Sequence, residues 1–216
     1  MMHSIPNIIY LDTQCIVVFK PHNLPVEMGD TPYPSLKKWL ESELQKRGER
    51  ISTWGIHPVH FIDRAVSGII LFARNKSSFT NLQQQFQQRK VKKGYVTITQ
   101  HALPSDKGKL IHYHKRTDDG KRAYIEDDPG EKSKRIDLKY TVINRHTYRI
   151  ELGSGKYHQI RAQLAHVGAP IVGDTLYTKE QVQPEQILLC AAEISFFHPK
   201  DGNQLSFSVM PDWLKA

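Results

Sequence analysis

The stretch His57-Pro58-Val59-His60-Phe61-Ile62-Asp63-Arg64-Ala65-Val66-Ser67-Gly68-Ile69-Ile70-Leu71-Phe72-Ala73-Arg74 sets an acid and a base just ahead of a Ser-Gly step and an apolar run over 69–73. An apolar run of that length after glycine predicts a buried strand. Asp63 therefore lies in a loop leading into the core. A carboxylate there must be paired or solvated, because an isolated buried charge is very costly. Two readings stand for it. Asp63 is a structural acid that caps a turn or pairs with Arg64, or it is a catalytic carboxylate with support elsewhere in the chain.

Upstream, residues 8–10 and 15–20 are β-rich and are separated by Asp12-Thr13-Gln14, the pattern of a hairpin. Pro21 and Pro25 then break regular structure. Ser35 is placed to cap a helix with Leu36, Trp39, Leu40 and Leu44 at helical spacing, ending near Gly48. Downstream, Ser77 is expected to start a second helix, with Phe79, Leu82 and Phe86 on one face and glutamines on a solvated one. A strand follows over 95–99. The charged segment 105–135 predicts short hairpins with a mobile loop near 127–132. Strands are expected at 139–144 and 147–152 around Arg145-His146, then a short helix over 158–167, a loop over 178–186, and closing strands at 188–194 and 205–209. Strands and helices mix without βαβ alternation, so the fold class is α+β.

The chain has 216 residues, formal charge +8 and two cysteines. The charge favours a polyanionic partner, most simply nucleic acid, with an anionic membrane surface second. No apolar run approaches a membrane span, and the N-terminus lacks the regions of a signal peptide. Cys15 and Cys190 lie in apolar runs and read as buried thiols of a reducing cytoplasm. The histidines lack metal-ligand spacing, which argues against a metal site.

A second cluster, Gly155-Lys156-Tyr157-His158-Gln159-Ile160-Arg161, puts glycine before a helix N-terminus, where backbone N–H groups can receive phosphate. His158 and Arg161 are three residues apart and share a helix face. The helix's inner face is expected to be Ile160, Leu164 and Val167. Arg161 then projects beside that face, either into a cleft or onto a phosphate or structural partner.

Together the clusters resemble the RluA family of pseudouridine synthases, over most of the chain. The segment from Phe19 to Val26 is similar to the family's "NKP-GLPV". His60 to Leu71 match "HRLDR-TSGLLL", Lys93-Gly94-Tyr95-Val96-Thr97 match the "K-Y-A" strand, Gly155 to Tyr177 match "GRTHQIR-HLAH-GHPIVGD-LY", and Leu188 to Pro199 resemble "LLHA--L-F-HP". The resemblance implies an α+β catalytic domain, a mainly antiparallel, curved mixed sheet with flanking helices and loops. It implies an enzyme that isomerises uridine to pseudouridine in RNA by breaking the N-glycosidic bond, turning the base and rejoining it through carbon; nothing is lost or gained, so no metal or other cofactor is expected. It implies Asp63 as the essential carboxylate, acting as nucleophile or as base on the sugar. Arg161 is implied to be its ion-pair partner and Tyr95 to lie against the target base. His60, Phe61, Arg64, His158 and Gln159 are implied to be substrate-binding. Burial alone would raise the pKa of Asp63, and a nearby cation would lower it. A glycosidase normally needs two carboxylates around a water. The main motif has one, and Asp174, in a Gly-Asp turn, reads as structural.

The chain departs from the family pattern at Phe61, where the family usually has the Arg implied to displace the target base. Flipping a base costs a few kcal/mol, and a stacking aromatic is worth about 1–3 kcal/mol per base. Phe61 is therefore a wedge or stacking platform, or else a packed core aromatic. Val66 replaces a Thr, Tyr157 a Thr or Ser, and Cys190 a His. The opening strands begin within the first ten residues, so one catalytic domain is expected, two fused subdomains around a central cleft with no separate N-terminal RNA-binding domain. A monomer is expected, acting on a transfer RNA or ribosomal stem-loop, with no membrane or DNA partner. Lys20, Lys37, Lys38, Arg89, Lys90, Lys92, Lys93, Lys115 and Arg116 are candidate RNA contacts, which predicts binding that falls steeply with salt. The alternative is an RNA-binding or RNA-folding protein that keeps the scaffold without the turnover.

Overall fold

The computed structural model describes residues 5–28, 34–153, 155–178 and 186–214. The chain divides into two compact units. The first runs to Lys93 and resumes at Ala191; the second spans Gly94–Cys190.

In the first unit, strands β1 (Asn7–Leu11) and β2 (Cys15–Lys20) form the expected hairpin. Helix α1 (Leu36–Lys46) starts at Ser35, whose side chain accepts the Lys38 N–H. The two-residue strand β3 (His57–Pro58) and strand β4 (Ser67–Ala73) flank the Asp63 loop. Helix α2 (Lys76–Gln87) starts one residue earlier than expected, because Asn75 rather than a serine caps it. Later strands are β5 (Lys92–Ile98), β6 (Lys107–Arg116), β7 (Ala123–Glu126), β8 (Lys134–Asn144), β9 (Thr147–Leu152), β10 (Leu189–Phe197) and β11 (Gln204–Ser208). Helix α3 (Gln159–His166) precedes the last two.

Strands β2 and β4 are buried on both faces, which is why they read as continuous apolar runs. Cys15 and Val17 share one face with Ile69, Leu71 and Ala73, packed on Leu82 of α2. Ile16 and Val18 share the other with Ile70 and Phe72, packed on Leu36, Leu40 and Leu44 of α1. Both cysteines are fully buried and reduced. Gly68 has φ +133, and a Cβ there would fall on the Ala191 backbone of β10. Only glycine lets these strands approach so closely. One glutamine of α2 departs from the expected solvated face. Gln85 is buried and pairs through both amide atoms with the backbone of Phe197, as a strand neighbour would.

The second unit is an antiparallel sheet in the order β5-β9-β8-β6-β7. The charged segment forms full strands rather than the short hairpins expected. Alternation along β8 buries Ile136, Leu138 and Tyr140 and turns charged residues outward. Helix α3 packs on this sheet through Ala162, against Ala123, Ile125 and Ile136. The expected loop over 178–186 lies, apart from its two ends, outside the described residues.

Candidate active site

Residues 57–60 run antiparallel to β4, and the chain turns back through 61–66 with Asp63 in that turn. Val59 N–H donates to the Leu71 carbonyl at 2.8 Å, and Val66 N–H donates to the Asp63 carbonyl at 3.0 Å. Asp63 is half-buried and Arg64 exposed. Arg64 Nε donates to the Asn23 carbonyl at 3.4 Å. Lys20, expected as an RNA contact, is instead fully buried. Its ammonium donates to the carbonyls of Pro21 (3.0 Å), Leu24 (2.8 Å) and Arg64 (3.1 Å). A buried ammonium is tolerable when its donors find acceptors. Here they tie the Asp63 turn to the segment after β2. Lys37, partly exposed, is paired with Glu27 at 2.7 Å.

His60 is buried and accepts the Leu71 N–H on Nε2 at 3.2 Å. Burial, with the Lys93 charge adding to it, pushes its pKa down to about 3, so the ring is neutral. Its ring packs on Phe86, which carries the Lys93 ammonium 5.6 Å from its centroid. Phe61 is 59% exposed, which overturns the reading of a packed core aromatic.

In the second unit, Tyr95 is buried on β5 opposite Ile150. Helix α3 is not amphipathic. Gln159, Ile160, Arg161, Ala162, Gln163 and Leu164 are all buried, so Arg161 lies within the buried surface rather than beside it. Arg161 is held by Asp174 through two parallel hydrogen bonds of 2.8 Å, Nε to Oδ2 and Nη2 to Oδ1. Such a fork fixes the guanidinium plane and balances its charge. Asp174 is thereby the structural acid expected, with a partner that its turn did not disclose.

His158 sits ahead of α3 in the left-handed region, φ 52. Its Nε2 lies 3.3 Å from Arg161 Nη1, and its Nδ1 lies 3.0 Å from the Tyr177 hydroxyl. A guanidinium only donates. Nε2 therefore accepts, and the neutral ring carries its proton on Nδ1, donated to Tyr177. The Tyr177 hydroxyl also accepts the Ala123 N–H at 2.7 Å. Gln159 is buried; its Oε1 accepts the Lys156 N–H, and its amide nitrogen donates to the Asp137 carbonyl and to Gln163.

Among the described residues, two other groups bring ligand-type atoms together: Asp12, Cys15 and His198, and His112, Asp127 and His166. In the first, Asp12 already accepts from the Gln14 and Cys15 N–H groups, the Tyr10 hydroxyl and His198. Burial, with help from the Asp12 charge, pushes the Cys15 thiol up to about 12. In the second, Gln163 donates to His112 Nδ1 at 3.0 Å, in an orientation set through Gln159 by two backbone groups. That puts the proton of neutral His112 on Nε2, the atom facing Asp127.

The expected residues thus divide. His60, Phe61, Asp63 and Arg64 belong to the first unit; Tyr95, His158, Gln159 and Arg161 belong to the second. Asp174 and Tyr177 were missed as partners of Arg161 and His158, although both stand in the matched "GD-LY" motif.

The RNA pseudouridylate synthase profile matches residues 14–166. The chain belongs to this family. It is 30% identical to the dual-specificity RNA pseudouridine synthase RluA of Haemophilus influenzae, over 96% of this chain and 94% of that protein. It is 31% identical to an uncharacterized RNA pseudouridine synthase of Mycoplasma pneumoniae, over 95% of this chain and 67% of that protein. Its fold is that of human RNA pseudouridylate synthase domain containing 1, with TM-score 0.77 at 19% identity over 98% of this chain and 85% of that one. As a member of the RluA family, it is an isomerase that acts on RNA. No helix among the described residues is long and apolar enough to cross a membrane.

Proposed function

We propose that this pseudouridine synthase isomerises one uridine of a structured RNA, a transfer RNA arm or a ribosomal stem-loop, as a cytoplasmic monomer with Asp63 as its essential carboxylate. The observation that carries the reading is the Asp63 turn itself. It retains the acid of the family motif, and the buried Lys20 ammonium fixes its backbone. Attack on the sugar's anomeric carbon and removal of a sugar proton both need this carboxylate ionised. Arg161 supplies the stabilising charge in this reading, and Tyr95 offers a ring to the base and a hydroxyl for proton transfer. The glycosidic C–N bond breaks, the base turns, a C–C bond forms, and the ring carbon loses a proton while the freed nitrogen gains one. Phe61, exposed on the Asp63 turn, fits a stacking platform that holds open the space left by the extruded uridine. His60 contributes by holding the turn to β4.

The test is a map of pseudouridines in total RNA from a strain lacking the protein. Restoration of a lost site by wild type but not by Asp63→Asn identifies substrate and catalyst together. Restoration by both would show that Asp63 is not the catalyst. Absence of any lost site would favour an RNA-binding protein without turnover.

A further inference from the structure

Tyr157 stands where the family pattern has a small hydroxyl residue, and its ring is the middle of a three-layer stack. One face lies on His158, with ring centroids 3.8 Å apart and planes 17° apart. The other face carries the Arg116 guanidinium, 4.1 Å from the centroid. Three more contacts anchor the residue and its neighbours to the β6–β7 hairpin. His114 Nε2 lies 2.8 Å from the Tyr157 carbonyl, and the Tyr157 hydroxyl donates to the Lys121 carbonyl at 3.3 Å. Ala123 N–H donates to Tyr177, which in turn meets His158. His158 holds a left-handed backbone, disfavoured for a residue with a Cβ. The stack restrains it there while its side chain points Nε2 at Arg161.

We propose that Tyr157 is a positioning residue. Clamped between Arg116 and His158, it fixes the orientation and tautomer of His158 and through them the guanidinium of Arg161. The inference rests on the reading above, in which Arg161 serves the isomerisation. A small residue at this position would leave the His158 ring open on one face, with Arg116 lacking its seat. The β6–β7 hairpin and the arginine are then coupled through one aromatic ring.

The experiment combines single-turnover kinetics on a substrate RNA with nitrogen-15 NMR of the histidine rings. Wild type should show His158 with its proton on Nδ1. Tyr157→Leu should show a mixed tautomer and a rate constant about 10-fold lower, since small misplacements of a catalytic group cost up to about 100-fold. Its RNA dissociation constant should stay within about two-fold. Tyr157→Phe keeps the ring and should recover most of the lost rate and the single tautomer. An unchanged tautomer in Tyr157→Leu, or a mixed tautomer with an unchanged rate, overturns the proposal. Arg161→Gln separates the two readings. If it keeps the wild-type rate, the role given to Arg161 fails. If it is inactive while Tyr157→Leu behaves as wild type, only the positioning inference fails.

Discussion

The Lys20 ammonium donates to the main-chain carbonyl of Arg64 across 44 positions of sequence, at 3.1 Å. The residue next to the proposed catalytic acid is thus held by a charge at the end of β2. Lys20→Met would leave three carbonyls without that donor. The expected loss is about 3 kcal/mol of stability, read from urea unfolding, together with slower isomerisation. The salt dependence of RNA binding should stay as in wild type, because Lys20 has no solvent exposure from which to meet a phosphate.

Phe61 gives the opposite separation. Its side chain is largely exposed, so Phe61→Ala should leave the unfolding midpoint unchanged. Loss of a base stack should lower turnover about 10-fold or more. Unchanged turnover would remove Phe61 from substrate binding.

Arg161 and Asp174 are a buried pair, 6% and 1% exposed. Asp174→Ala leaves a guanidinium without its bidentate acceptor and should cost about 3–5 kcal/mol. Replacing both by leucine should recover much of that stability, because the buried charge goes with its partner. The double variant should still make no pseudouridine. A fully active double variant would exclude Arg161 from the reaction.

The burial of His60 makes stability depend on pH in a stated direction. Its folded pKa, about 3, lies below the ordinary histidine value of 6.5. Between those values the unfolded chain binds a proton that the folded one refuses. Its contribution is therefore complete above pH 6.5 and is lost as pH falls toward 3, at about 1.4 kcal/mol per pH unit. At pH 5 the loss is about 2 kcal/mol. His60→Gln can still accept the Leu71 N–H but does not titrate. Its stability should fall less steeply than wild type between pH 6.5 and 5, by urea unfolding at each pH. Parallel curves would show that His60 titrates normally.

The apolar runs and caps made most of the fold legible. Residues 69–73 and 15–20 alternate between two buried faces, so their hydrophobicity announced central strands, and Ser35 marked a helix start by its own hydrogen bond. The charged segment was harder, because β6 and β8 bury only every second residue and local charge density hid that alternation. Around the candidate site, motif order singled out Asp63, Tyr95 and Arg161 as candidates, but not what holds Arg161 or the Asp63 turn. The partner of Arg161 is thirteen positions away in a turn, and Lys20 looks like any surface lysine until its end-of-strand position points it inward. Tertiary contacts decide both cases, and no local spacing encodes them.

The two thiols have a practical consequence. Cys15 and Cys190 are sealed within the protein, and Cys15 stays protonated far above neutral pH. Maleimide dyes react with accessible thiolates, so the native chain offers them almost no background. A cysteine introduced on an exposed turn would carry a fluorophore at a single chosen place without first removing the natural ones. Docking of RNA could then be followed in real time on an otherwise unaltered enzyme.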